Sequence, residues 1–437
     1  MIRVLLSLFL VIAALPARAE VDIKEVTTPG GLSAWLVEDH SIPFVALELR
    51  FRGGASLDRE AKQGATNLMV GLLEEGAGDM DAQGFARTRD ALAAKFSYDV
   101  SDDAVSVSAR MLTENRAAAL DLLRASLVEP SFAPDAVERV RQQVLSGLRS
   151  AQTDPRSLMN KAMDRLVFGD HPYGSQLEGT IASVESLTRQ DIAAAHARAL
   201  TRDRVYISAV GDITEAELAI LLDGLLGDLP QEGAPLPAPA DLNLPGGIEV
   251  VPFETPQSVA AFAQPGVDRE DADFFAAFVL NHILGGGGFE SRLMTEVREK
   301  RGLTYGVYSY LADKDAAQLW MGSVASANDR MAEAISVIRD EWARIREKGV
   351  TAEELQDAKT YLTGAFPLRF EGNGPIAAIA VGMQMDGLPP DYIANRNDMV
   401  NAVTLDQINR VARERLDPEA LTFVVVGQPD GLDGQVN

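Results

Sequence analysis

There is no cysteine anywhere in the 437 residues. That excludes disulfides, thiolate metal sites, a cysteine nucleophile and a lipid-modified cysteine anchor together. Histidine is nearly as scarce, with only His40, His171, His196 and His282 present. No two of them stand at the spacing of a ligand pair, and each reads as a surface or structural residue. Basic residues are also in deficit, 40 Lys and Arg against 64 Asp and Glu, which gives a formal charge of −24. A polyanion needs a basic surface, so nucleic acid is not expected as a partner. The acidic balance favours solubility and would attract basic peptides over a distance. Beyond residue 19 no apolar run is long enough to cross a bilayer, so no membrane anchor is expected. Nucleophile elbows, P-loops and dinucleotide fingerprints are missing too, and the run Gly285, Gly286, Gly287, Gly288 lacks the Lys-Ser/Thr that phosphate binding requires.

What is present begins with a leader. Arg3 is followed by an almost purely apolar run over residues 4–15 and then by Ala17-Arg18-Ala19. The run is short for a membrane span and has the layout of a secretory signal peptide over residues 1–19, cleaved after Ala19. An exported chain without cysteine is expected to be periplasmic or secreted.

The remaining sequence alternates strand and helix patterns. Strands are expected over residues 45–51, 104–111 and 205–210, and helices over 64–73, 84–95, 117–127 and 136–148. Residues 230–246 are too proline-rich for helix or central strand and read as a stiff linker. On either side the chain repeats itself. Leu187-Thr188-Arg189-Gln190-Asp191-Ile192 resembles Val403-Thr404-Leu405-Asp406-Gln407-Ile408, and Val210-Gly211 resembles Val426-Gly427. Both pairs are offset by 216 positions (408 − 192 and 427 − 211). A repeat of this length means two copies of a domain rather than a solenoid. The expected architecture is α+β: two tandem sandwich-like domains, 20–229 and 247–437, each an antiparallel-rich sheet flanked by helices.

Residues 281–311 stand out within the second copy. Phe274, Phe275, Phe278, Val279 and Ile283 recur at helical spacing, and the four glycines are expected to end that helix and leave open backbone. A second helix is expected through Leu293 and Val297, stopping at Gly302. A strand would follow, with Tyr305, Val307, Ser309 and Leu311 on one face and Tyr308 and Tyr310 on the other. Arg298 and Tyr305 would then meet where helix passes into strand. On spacing alone, Arg298 reads as part of a solvated charged face and Tyr305 as packing.

These residues, with Asp170-His171-Pro172-Tyr173-Gly174 and the 188–211 block ending in Val210-Gly211-Asp212, resemble the pitrilysin/insulinase family of metallopeptidases. The resemblance covers nearly all of the chain after the leader and points to the short two-domain form, in which one chain makes half of a clamshell. Active members carry an inverted His-x-x-Glu-His motif that binds zinc and supplies a base, with a further glutamate downstream. Aligned on Gly64 and Gly76, that motif falls on Asn67, Leu68, Met69, Val70 and Gly71. The downstream glutamate falls on Gly147. The ligand and base positions Asn67, Val70, Gly71 and Gly147 are therefore vacated, and this chain is expected to hold no cofactor or metal of its own.

The resemblance also implies what is kept. In the family, an arginine and a tyrosine seven positions apart, here Arg298 and Tyr305, donate hydrogen bonds to the substrate carbonyl as it becomes an oxyanion. Gly285 to Gly288 would border the peptide chamber, though a plain turn between helices is an equal reading. The combination implies the zinc-free subunit of a heterodimeric metallopeptidase, with zinc held by a paralogous partner and a peptide as substrate. The alternative is a catalytically inactive structural or peptide-binding homologue.

Overall fold

The computed structural model describes residues 21–432 together with the backbone of 435–436. The expected leader, residues 1–19, lies outside them. In chain order the strands are β1 (Lys24–Thr27), β2 (Ser33–Glu38), β3 (Phe44–Arg52), a short hairpin of β4 (Gly76–Ala77) and β5 (Met80–Asp81), then β6 (Lys95–Val100), β7 (Ala104–Leu112) and β8 (Val205–Gly211). The second half supplies β9 (Gly247–Pro252), β10 (Gln257–Pro265), β11 (Val307–Lys314), β12 (Ala317–Ala327), β13 (Thr422–Gly427) and β14 (Gln435–Val436).

They form two six-stranded sheets, β1-β2-β8-β3-β7-β6 and β14-β9-β13-β10-β12-β11. The orders correspond strand for strand, and so do the pairings. β8 runs parallel to β2 and antiparallel to β3, as β13 runs parallel to β9 and antiparallel to β10. The fold is thus a mixed α/β one with mostly antiparallel sheets, duplicated. The capping signals that revealed the repeat operate in both copies. Thr188 and Thr404 each accept the backbone N–H three residues on, at Asp191 and Gln407, and close capping boxes on the Arg189–Ala199 and Leu405–Arg415 helices.

Each sheet packs its own helices on one face around an apolar core, Leu47, Leu49, Phe51, Val105 and Val107 in the first and Phe262, Trp320, Trp342 and Phe423 in the second. The opposite faces show an exchange that nothing in the sequence pattern indicates. The Pro155–Phe168 helix of the first half lies on β10 and β13 of the second, burying Met159, Met163, Val167 and Phe168 against Val259, Ala261 and Val424. Reciprocally, the Asn373–Met385 helix lies on β3 and β8, with Ala377 against Ala46 and Val210. Residues 230–246 form neither helix nor strand. Yet the segment is tied down: Ala240 and Asn243 donate backbone N–H groups to the carbonyls of Ala316 and Val167.

The halves also meet at two hairpin turns. Lys314 Nζ reaches Asp102, Arg52 Nε pairs with Asp315 at 3.1 Å, and the Tyr173 hydroxyl donates to Asp103 while accepting from the N–H of Ala316. Burial raises the carboxyl of Asp164 to about 6, with Lys314 opposing and Asp102 adding to the shift. Asp315 is likewise raised to about 6, by burial first, against Arg52. Because a raised carboxyl takes up its proton more readily folded than unfolded, its contribution to stability is complete below the unfolded value near 4 and is lost as pH rises through about 6. Asp164→Asn should therefore raise the melting temperature more at pH 7.5 than at pH 5. Equal shifts at both pH values would show that Asp164 does not carry this linkage.

Expected strands and helices of the first half appear with small changes of extent. The helix expected over 64–73 is only Ala65–Val70, because Gly64 at φ +84° starts it late and Gly71 closes it. Among the described residues no helix is long and apolar enough to cross a membrane.

Candidate functional site

The segment that carries Arg298 and Tyr305 is built differently from its sequence reading. The Phe274–Asn281 helix does not stop at the glycines but widens into a π-helical turn over His282–Gly286, and a second π-helical turn runs over Met294–Glu299. Such turns are rare and gather at functional sites. What holds the first one is Asn281, whose side-chain oxygen accepts from Ser309 Oγ (2.8 Å) and Trp320 Nε1 (2.9 Å). Gly285 is buried in this turn, and a Cβ there would stand 2.5 Å from Ser309 Oγ and 2.7 Å from its backbone nitrogen. Its glycine is thus required for packing against β11. A Cβ on Gly286 or Gly287 would stand 2.8 Å from Asn281 Nδ2 or the His282 carbonyl oxygen, whereas Gly288, at φ +61° with nothing within 4 Å of a Cβ, is the open one.

Tyr305 is not in the strand. β11 begins at Val307, and Thr304 turns the backbone beforehand: its hydroxyl donates to the carbonyl of Ala325 (2.6 Å) and accepts from the N–H of Gly306 (3.0 Å). The consequence is that Tyr305 swings out of the sheet register and is 89% exposed. Tyr308 and Tyr310 do share a face, with their rings stacked.

Arg298 is singled out by what its neighbours do. Arg292 forks onto Glu354 at 2.6 and 2.8 Å, and Lys300 and Arg301 both bind Glu296, at 2.6 and 2.7 Å. Burial pushes the Glu296 carboxyl up, but the hydrogen bonds from Lys300 and Arg301 outweigh it and hold it at about 2. Arg298 has no such partner among the described residues. Its guanidinium lies 4.7 Å above the ring of Phe289, the exposed residue that follows the glycine run. Arg298 and Tyr305 line one recess of about 850 Å3, floored by Leu303, Ala325 and Ser326. Two sets of hydrogen-bond donors, a fork that cannot lose its proton and a phenol, thus face a common space. Sequence reasoning missed Phe289, Asn281 and Glu296. Only Glu296 had a signal, Lys300 standing four residues on.

The vacated positions lie elsewhere. Asn67 is half-buried in the Ala65–Val70 helix, Val70 is buried, and Gly71 is exposed at its end. Gly147 sits on an exposed face of the Pro134–Ala151 helix, where a Cβ would touch nothing within 4 Å. These side chains supply neither imidazole nor carboxylate, so they do not fit a bound metal. Among the described residues no three His, Asp or Glu side chains are gathered as donors. Glu74 and Glu75 pair with Arg89 and Arg139. Three histidines are occupied structurally: His40 with Asp212 (2.7 Å), His171 with the carbonyl of Ala238 (3.0 Å) and His196 with that of Leu127 (2.8 Å). His282 stacks on Tyr361.

The duplication relates the two regions. In the first half the Ala65–Val70 helix packs on β6 and the Arg189–Ala199 helix; in the second, the Phe274–Gly286 element packs on β11 and the Leu405–Arg415 helix. The glycine turn therefore occupies, in its own domain, the place that the emptied motif occupies in the other.

Comparison with known proteins agrees with this layout. Residues 34–181 match the family model for insulinase (peptidase family M16), and residues 186–362 match the model for the peptidase M16 inactive domain. A protein of Helicobacter pylori named as the non-peptidase homolog YmxG is 26% identical, the match covering 89% of this chain and 90% of that one. An uncharacterized zinc protease of Streptomyces coelicolor is also 26% identical, covering 90% and 87%. Among solved structures, a peptidase M16 inactive domain from Pseudomonas fluorescens superposes with a TM-score of 0.87 at 29% identity, covering 95% of this chain and all of the other.

Proposed function

Because the chain belongs to the insulinase family of peptidases, M16, we propose that it is the zinc-free subunit of a two-chain peptidase. A zinc-bearing paralogous subunit brings the metal and the base. This chain brings Arg298 and Tyr305, which bind the peptide carbonyl and stabilise the oxyanion that forms on it. The observation that carries the reading is the state of Arg298. Of the four cations Arg292, Arg298, Lys300 and Arg301 it is the one with no carboxylate within ion-pair distance among the described residues, and it shares its recess with the exposed Tyr305. An unneutralised guanidinium beside a free phenol is what a developing negative charge requires. The emptied positions Asn67, Val70, Gly71 and Gly147 account for why the chain would need a partner. In keeping with the leader, we place the complex in the periplasm or outside the cell.

Affinity purification of this chain from its native host, followed by zinc analysis, tests the reading. The expected result is a co-purifying paralogue with an intact His-x-x-Glu-His motif, one zinc per pair, and peptide hydrolysis by the pair but not by this chain alone. Recovery of a zinc-free homodimer that binds peptide would favour the second reading, an inactive structural or peptide-holding homologue. One observation supports that alternative: Gly285 and Thr304 have packing roles of their own, so the segment could be retained without catalysis.

A further inference from the structure

A separate cavity of about 460 Å3 lies where β3 of the first half meets the helices of the second. Four arginines from four different elements reach it: Arg50 from β3, Arg269 from beyond β10, Arg369 from the Pro367–Phe370 turn and Arg396 from the Tyr392–Ala402 helix. None of them is within ion-pair distance of a carboxylate among the described residues, in a chain where acids outnumber bases 64 to 40. Arg396 is the most telling. It is 6% exposed, lies over Phe278 (5.2 Å) and Phe366 (4.5 Å), and donates to the carbonyl of Leu362 and the side-chain amide oxygen of Asn397, neither of which is charged. Arg269 lies over Phe274 (4.4 Å) and Tyr392 (5.5 Å) and donates to the hydroxyl of Tyr392.

A buried guanidinium without a counter-charge in ion-pair reach is costly, and Arg396 is in that state beside three further cations. Burial accordingly lowers the Arg396 pKa, with Tyr392 opposing and the Arg369 and Arg269 charges adding to the shift. A bound anion would offset that cost. The cavity's other properties narrow which one. Its walls are aromatic, so an apolar body is accommodated beside the charge. Its one acidic side chain, Asp386, would repel a doubly charged phosphate more than a singly charged carboxylate. The volume is within the range of small-molecule sites and holds one or two residues of a peptide rather than a long segment.

We propose that this cavity binds a carboxylate carried on an apolar body, namely the free C-terminus of a short peptide, held by Arg269, Arg369, Arg396 and Arg50. The assignment goes beyond the Arg298–Tyr305 reading and does not depend on it, since the two residue sets are distinct.

Isothermal titration calorimetry of the full chain with N-acetyl-alanyl-phenylalanine, its C-terminal amide and inorganic phosphate tests this. The free acid should bind at least tenfold more tightly than the amide. Arg369→Gln, at an exposed position, and Arg269→Gln should each weaken the acid at least tenfold. Arg413→Gln, an exposed control outside the cavity, should leave it unchanged. Circular dichroism of each variant separates lost binding from lost fold. Equal binding of acid and amide would overturn the proposal, as would an acid affinity indifferent to both cavity variants in folded protein. Phosphate binding more tightly than the peptide and displacing it would overturn the carboxylate assignment.

Discussion

In the complex with a zinc-bearing paralogue, Arg298→Ala should lower kcat by about 10²–10³-fold, the cost of removing one donor from an oxyanion site. KM and the stability of the complex should change little. The reason for expecting so clean a separation is structural. Among the described residues the guanidinium has no carboxylate within ion-pair distance, and it lies over the exposed Phe289 ring, so its removal leaves no buried ion-pair partner behind. The fold should therefore shift by no more than about 0.5 kcal/mol, as for surface substitutions generally. Tyr305→Phe should act in the same direction, because the hydroxyl is the only atom removed from a side chain that is already in solvent. Arg298→Lys should recover part of the loss at most, since an ammonium cannot present the planar fork. Steady-state kinetics of the reconstituted pair, with zinc content and assembly measured in parallel, decides the matter. An unchanged kcat, or a loss that follows dissociation of the pair, would remove the catalytic role from these two residues.

Severing the chain within residues 230–246 should have an effect of comparable size on folding. Although each half owns a complete sheet, each also lends a helix to the other. A separate first half would expose Met159, Met163, Val167 and Phe168, all buried in the intact chain. At about 1.5–3 kcal/mol for each large apolar side chain, that loss is of the order of the whole stability of a typical domain. Residues 20–229 and 247–437 expressed apart are expected to aggregate or to lack fixed tertiary packing by near-ultraviolet circular dichroism. Expressed together they should reassemble, and the intact chain should unfold in one calorimetric transition. Two halves that each melt cooperatively at the parent temperature would show the exchanged helices to be incidental.

Much of this organisation is legible along the chain because its causes are local. Thr188 and Thr404 announce helix starts through contacts only three residues long, and Val210-Gly211 and Val426-Gly427 mark matching strand ends. The same holds for what is missing at Asn67, Val70, Gly71 and Gly147, since donor atoms are a property of the side chain itself. The local pattern departs from the structure where a distant residue decides the outcome. The glycine run looked like the end of a helix, yet Asn281 is held by Ser309 and Trp320 and carries the helix on as a π-helical turn. Tyr305 fitted the alternation of a strand, yet Thr304 is bonded across to Ala325 and turns it out.

The sequence by itself thus determined the duplication, the class of fold and the lack of imidazole or carboxylate at Asn67, Val70, Gly71 and Gly147. The Lys300–Glu296 pair is legible in the four-residue spacing, but the pairing of Arg292 and the isolation of Arg298 were decided by the tertiary structure. Arg292, Lys300 and Arg301 are neutralised and Arg298 is not because Glu354, more than sixty positions from Arg292, and Glu296 fold into reach of the first three alone. The same is true of Arg50, Arg269, Arg369 and Arg396, which four separate elements bring to one cavity. Charge is written residue by residue, but whether a charge is paired depends on packing between elements that the spacing of a single chain does not encode.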